Sequence, residues 1–313
     1  MRKGLTLVEV LVSLVILAFV LGAVFTILNL QSVKATQAQR TAVLQTDAQV
    51  ALTLLKWDLL CAGLAYPKTL KAVTSGNNGA YGGADFISLK AAGLGFELGG
   101  LRHSWLAHDT SQIINVDSAT LRAWADTNMN FTPGDTVVII DQDRTVLEPP
   151  GELVVESVRL DTFYDIWGNA MLAQRVGFDK PFSTIPGYIL VRKYGSCFDD
   201  TATGITIQRS VNDKLVRGGD TLLDNVEDLQ FAYGVDTDGN GVIDAWSDDM
   251  PDWRGQKWAI RYTLVVSSRP IGGYEYPADS VTVEDHTYAL TFDQKKRRRA
   301  VLSGVVMPPN LQP

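Results

Sequence analysis

Two hydrophobic textures divide the chain. Residues 5 to 28 are apolar except for Thr6, Glu9, Ser13 and Thr26. A run of this kind can span a bilayer, which takes ~20 residues. No Pro or Gly interrupts the stretch from Gln31 to Leu60. Along it Val43, Val50, Leu54, Trp57 and Cys61 recur at helical spacing, with Leu44, Ala48, Ala51, Leu55 and Leu59 beside them. Gln, Thr, Lys and Asp fill the other face. Gly63 is the expected stop, and Pro67 confirms it. The pattern predicts one helix from Leu5 to Ala62, ~87 Å long at 1.5 Å per residue. Its first half is apolar all round and its second half is amphipathic. A coiled-coil stalk is disfavoured, because no strict seven-residue repeat is sustained.

Beyond Pro67 the texture changes to short runs between turn clusters. Strands are predicted at 84–92, 135–142, 151–160, 187–194, 204–211, 226–235, 257–268, 286–292 and 300–307. In "DLQFAYGV", Leu229, Phe231, Tyr233 and Val235 alternate with Asp228, Gln230, Ala232 and Gly234, as in a half-buried strand. The middle, 100–220, suggests no arrangement. The expected fold class is α+β: a long N-terminal helix packed on an antiparallel β-sheet head. The divisions are 1–4, a leader; 5–30, a membrane segment; 31–63, an amphipathic helix; and 64–313, a β-rich head.

Composition changes little in this picture. With 46% hydrophobic and 20% charged residues, the 313-residue chain has enough apolar content for a substantial core. A net charge of −7 argues against nucleic acid as a partner by bulk charge. Arg2 and Lys3 precede the apolar run, so the N-terminus is expected in the cytoplasm and the head outside it.

Glu9 is the informative residue. An acid in a membrane segment costs a few kcal/mol and usually has a functional partner. A signal peptide cut near Gly22-Ala23 does not explain it, and neither does a plain signal anchor. "KGLTLVEVLVSLVIL" resembles the class III signal of type IV pilins and type II secretion pseudopilins. The resemblance implies cleavage by a prepilin peptidase between Gly4 and Leu5, which makes Glu9 the fifth mature residue. The freed Leu5 amine then offers a cation that a neighbour's Glu9 can meet in a filament, and a buried acid is tolerable when paired. Leu5 stands where Phe is commoner, and no Pro follows in the apolar run. "LLKWDLLCAGLAYP", "VEDLQFAYGVDTDGNGVIDAW" and "KKRRRAVLSGVVMPPN" resemble stretches of PilW-type minor pilins. That family implies an inner-membrane precursor with one span and a periplasmic head, later part of an extracellular pilus. Its partners would be the prepilin peptidase, other minor and major pilins, an adhesin and inner-membrane lipid. Two other readings stand beside it: a J-type minor pseudopilin of type II secretion, and a tip-exposed module that binds sugar or DNA.

Signals of chemistry are few, and no enzyme is expected. His103 and His108 are spaced wrongly for one helix face and lack Cys or Glu companions; His286 stands far from both. "GLGFELGG" (93–100) has no βαβ unit around it, and there is no Gly-x-Ser-x-Gly. "DTDGNGVID" is the one site-like motif. Asp236, Asp238 and Asn240 alternate, Gly241 supplies a sharp turn, Val242 offers a carbonyl and Asp244 follows, a spacing that suits calcium. The position-twelve Glu of an EF-hand is missing, and a polar hairpin loop is the competing reading. Cys61 and Cys197 would both lie outside the cytoplasm and are expected to form a disulfide; two separately buried thiols are the competing reading. "KKRRR" (295–299) is either a solvated basic turn or a contact for phosphate or an acidic neighbour.

Overall fold

The computed structural model describes residues 7–68, 70–91, 103–105, 113–123, 130–164, 167–184, 188–193, 205–251 and 258–312. Helix α1 (Leu7–Cys61) is followed by β1 (Val73–Gly76), β2 (Phe86–Leu89), β3 (His103–Trp105) and β4 (Ile113–Arg122). Next come β5 (Thr136–Ile140), β6 (Glu152–Tyr164), β7 (Ala170–Thr184), β8 (Ile189–Lys193) and β9 (Ile205–Arg209). β10 (Lys214–Arg217), β11 (Asp220–Asp224), β12 (Val226–Val235), β13 (Ala245–Ser247) and β14 (Trp258–Ser267) follow. β15 (Ser280–Val283), β16 (His286–Ala289), α2 (Phe292–Lys295) and β17 (Arg299–Val306) complete the order. The α+β expectation holds, and each of the nine predicted strands is present.

α1 ends where the sequence stops it. Gly63 adopts φ +77°, a left-handed conformation that favours glycine. Every residue from Leu7 to Ala35 is exposed, so the apolar half of the helix finds no cover among the described residues. Below the stop, Ala48, Ala51, Leu52, Leu55, Leu59 and Ala62 are buried. Val43, Val50 and Trp57 face outward, at 53%, 57% and 43% exposure. Of the two neighbouring sets read from the sequence, it is the one with Ala48, Ala51, Leu55 and Leu59 that meets the head.

Among the described residues the head holds four sheets rather than one. The sheet nearest the helix runs β13-β12-β14-β17. A second runs β1-β2-β9-β10-β11, a third β3-β8-β5-β6-β7-β4, and β15-β16 is a hairpin. Leu229, Phe231, Tyr233, Ile260, Leu264 and Val266 join the helix stripe with Ile87, Ile207 and Leu215 in the main core. β12 was expected to be half-buried, but both of its faces are covered: Val226 through Gly234 are all buried. Its second face is covered by the β15-β16 hairpin and the 77–85 turn, through His286 to Asp228 and Gln230 to Gly83.

The six-stranded sheet fills the middle of the chain that sequence patterns left open. It lies in sequence between β2 and β9, which pair with each other directly (Leu89 opposite Ile205). It has its own core of Leu121, Phe131, Val137, Ile139, Leu153, Val155, Val176 and Phe178. Alternation in β5 joins the layers: Val137 and Ile139 enter that core, while Val138 and Ile140 enter the main one.

Candidate functional site

The Asp-rich loop leaves the end of β12 and returns when the Asp244 N–H donates to the Val235 carbonyl at 3.1 Å. Gly239 (φ +77°) and Gly241 (φ +90°) take the left-handed turns that close it. Asp236 is buried at the root and accepts from the N–H groups of Gly239 (2.8 Å), Asn240 (3.2 Å) and Gly241 (2.7 Å). Desolvation pushes its carboxyl up, but these N–H groups outweigh that and hold it below the usual carboxylate range. One carboxylate oxygen each from Asp236, Asp238 and Asp244 lies within 4.8 Å of the other two. Hard oxygens gathered at this spacing suit a divalent cation that prefers oxygen ligands.

The other two predicted ligands are placed differently. Asn240 sits beside the cluster through its amide, which donates to Asp238 at 2.9 Å. Its carbonyl oxygen is engaged by the Val242 N–H at 2.8 Å. Val242 is 62% exposed and projects its side chain outward. Thr237, which the sequence did not single out, grips Asp244 from both its N–H and its hydroxyl.

Glu9 occupies the first turn of α1, exposed, with the Ser13 hydroxyl donating to its carbonyl at 2.7 Å. Gly4, Leu5, Cys197, His108 and residues 93–100 lie outside the described residues. Cys61 is the last residue of α1 and is half-buried against the main core. His286 is no lone surface residue: its Nδ1 lies 3.0 Å from Asp228, inside the head. Within the basic run, the Arg299 side chain is buried and pairs with Glu227 at 2.5 Å, and Lys295 pairs with Asp279. The run is therefore divided between structure and surface.

Sequence reasoning missed the buried ion pairs. Arg217 on β10 holds Asp58 of α1 through two hydrogen bonds of 2.6 and 3.1 Å. Asp85 accepts from the N–H groups of Phe231 and Asn78, both at 2.7 Å. Burial still pushes its carboxyl up to about 6. A buried acid in a β-head carries no local pattern, and only its distant partner reveals the role.

The β9–β17 part of the head, with the loop at its far end, is the part that comparison with known families recognises. The family model for Type IV Pilus-assembly protein W matches residues 199–310. The Prokaryotic N-terminal methylation motif matches residues 1–25, which contain Glu9 and the start of α1. Over these two stretches the chain resembles the PilW-type type IV pilins. No curated protein and no solved structure matches it. The PilW match spans the central sheet and stops short of the six-stranded sheet. Pilin-family domains are structural rather than catalytic, and the methylation motif with an exposed apolar helix fits a membrane-anchored pilin.

Proposed function

We propose that this PilW-like protein is a minor pilin that enters a type IV pilus after cleavage between Gly4 and Leu5, and that it primes or caps the filament. One observation carries the reading. The apolar half of the helix, from Leu7 to Leu30, is exposed in the folded chain and holds an acid at Glu9. A bilayer satisfies the apolar surface but not the acid; a helical bundle of neighbouring subunits satisfies both, with a Leu5 amine as the acid's partner. N-terminal sequencing of protein from host membranes is expected to begin at Leu5, and a start at Met1 or near Ala23 overturns the reading. Glu9→Leu is expected to insert in the membrane normally and to be depleted from filaments.

The convergence of Asp236, Asp238 and Asp244 favours a second, compatible reading, in which the loop binds calcium and is made rigid by it. Without a cation three carboxylates crowd one turn. With the position-twelve Glu missing, the affinity expected is ~10⁻⁴–10⁻³ M, as in extracellular modules. Thermal melting of the purified full chain in micelles should rise with millimolar calcium and fall back with chelator. Asp236→Ala combined with Asp238→Ala should abolish that response. A wild-type melting temperature indifferent to calcium reduces the loop to a polar turn.

A further inference from the structure

The sheet nearest the helix has a fixed polarity relative to α1. At one end Asn310 donates to the carbonyls of Leu60 and Ala62, beside the helix stop. At the other, Asn225, Ser267, Ser268 and Arg269 meet Gln39, Val43, Leu44 and Asp47 across a cleft of about 440 Å³. Ser267 faces Arg299 in the β14-β17 register, so the start of β17 lies at that same end. This end is the one toward the apolar half of α1. Val43 stands ~20 Å along the helix axis from Leu30, where the apolar run stops.

The basic run therefore lies on the rim of the head nearest the membrane segment. The 269–276 turn packs on it, with the N–H of Ile271 donating to Lys296 and that of Tyr276 to Lys295. Lys295 and Arg299 are engaged by Asp279 and Glu227. Arg269, Lys296, Arg297 and Arg298 form no ion pair among the described residues. Arg269 and Arg298 are exposed. Lys296 lies 3.9 Å over the ring of Phe292, which is 73% exposed, and Arg298 lies over Tyr274. Asp293, Glu275 and Asp47 are the acids nearby, so positive charge exceeds negative on this rim. Cations beside exposed aromatic rings are what a bilayer interface selects. Headgroups add ~5–8 Å to the hydrocarbon edge, and the field of anionic lipid reaches about 8 Å further at physiological salt. An ordinary helix tilt of ~20° closes the rest.

We propose that the rim formed by Arg269, Lys296 and Arg298, with Phe292 and Tyr274, docks on anionic lipid headgroups of the bilayer that α1 crosses. The proposal rests on the membrane-anchored reading of α1. Docking holds the head down on the membrane surface, and leaving the bilayer for a filament requires that this contact be released.

Hydrogen exchange on the full chain in nanodiscs tests it, with phosphatidylcholine discs compared to phosphatidylglycerol discs. The amides of 271–274 and 292–298 should exchange more slowly in phosphatidylglycerol, by about fivefold for each basic side chain that reaches the surface. Raised salt should remove the difference. So should the triple variant Arg269→Gln, Lys296→Gln, Arg298→Gln, whose β12 and β14 amides should stay protected as in the wild type. Equal exchange in the two lipids, with the chain inserted in both, overturns the docking proposal alone. So does a triple variant that keeps the full lipid effect. A chain that inserts in neither disc overturns the anchored reading and the proposal with it.

Discussion

Asp58 and Arg217 meet where α1 lies on β10, and both side chains are almost fully buried. Breaking such a pair from one side strands a charge, at about 3–5 kcal/mol. Asp58→Asn should therefore lower the unfolding free energy of the full chain in micelles, read by urea titration, by that order. The apolar double variant Asp58→Leu with Arg217→Met should recover much of the loss, since well-packed apolar pairs often equal buried ion pairs. Asp85 supplies a pH dependence of definite sign. Its folded-state value of about 6 lies above the ordinary 3.8, because burial disfavours the charged form. The folded chain thus holds this proton more tightly than the unfolded one. The stabilisation is complete below the unfolded value and is lost as pH rises to about 6. The stability difference between wild type and Asp85→Asn should fall from pH ~4 to ~6 and be flat above, as read by urea titrations at several pH values. A difference that rises across that window contradicts the assignment.

At the scale of elements, the helix stop is the most exacting position. A Cβ on Gly63 would stand 2.2 Å from Leu311 Cδ2, on a backbone at φ +77°. Gly63→Ala should cost ~1–2 kcal/mol for the left-handed backbone alone, and more for displacing Leu311, measured as a shift in denaturation midpoint. Gly63 was legible from the sequence because stop signals are local. So was α1, and so were the strands whose β-branched and aromatic runs stand between turns. β7 was not: Gly177 and Pro181 interrupt it, and both count against a strand. β10 and β11 are short runs either side of Gly218-Gly219, too brief to register as a pattern. The Asp-rich loop was legible because its carboxylates lie within one turn of chain. Arg217 and Asp58 are 159 residues apart, and Arg299 and Glu227 are 72 apart, so no spacing announces them. The full burial of β12 escaped for a related reason, since its second face is covered by a hairpin that follows it by some fifty residues.

For the whole molecule, the telling contrast is between the covered and uncovered faces of α1. Val43 and Val50 stay exposed beside a stripe that is buried. Serine at both should leave stability within ~0.5 kcal/mol, because neither fills the core. If neighbouring subunits pack along the helix beyond the membrane, the same variant should be under-represented in isolated filaments relative to membranes, by quantitative immunoblotting. Equal representation shows that packing ends at the membrane segment. The pairing of β2 with β9 across the six-stranded sheet has a consequence in time. During synthesis β2 waits for more than a hundred residues before its partner leaves the ribosome, while the intervening sheet, with its own core, is free to close. β17 follows every other strand, and with the 309–311 turn it completes the cover over the upper part of α1. Until then the buried stripe of the helix is as bare as its membrane half. The nascent chain thus carries one continuous apolar rod whose two halves must be sheltered by different means, lipid for the first and its own late strands for the second.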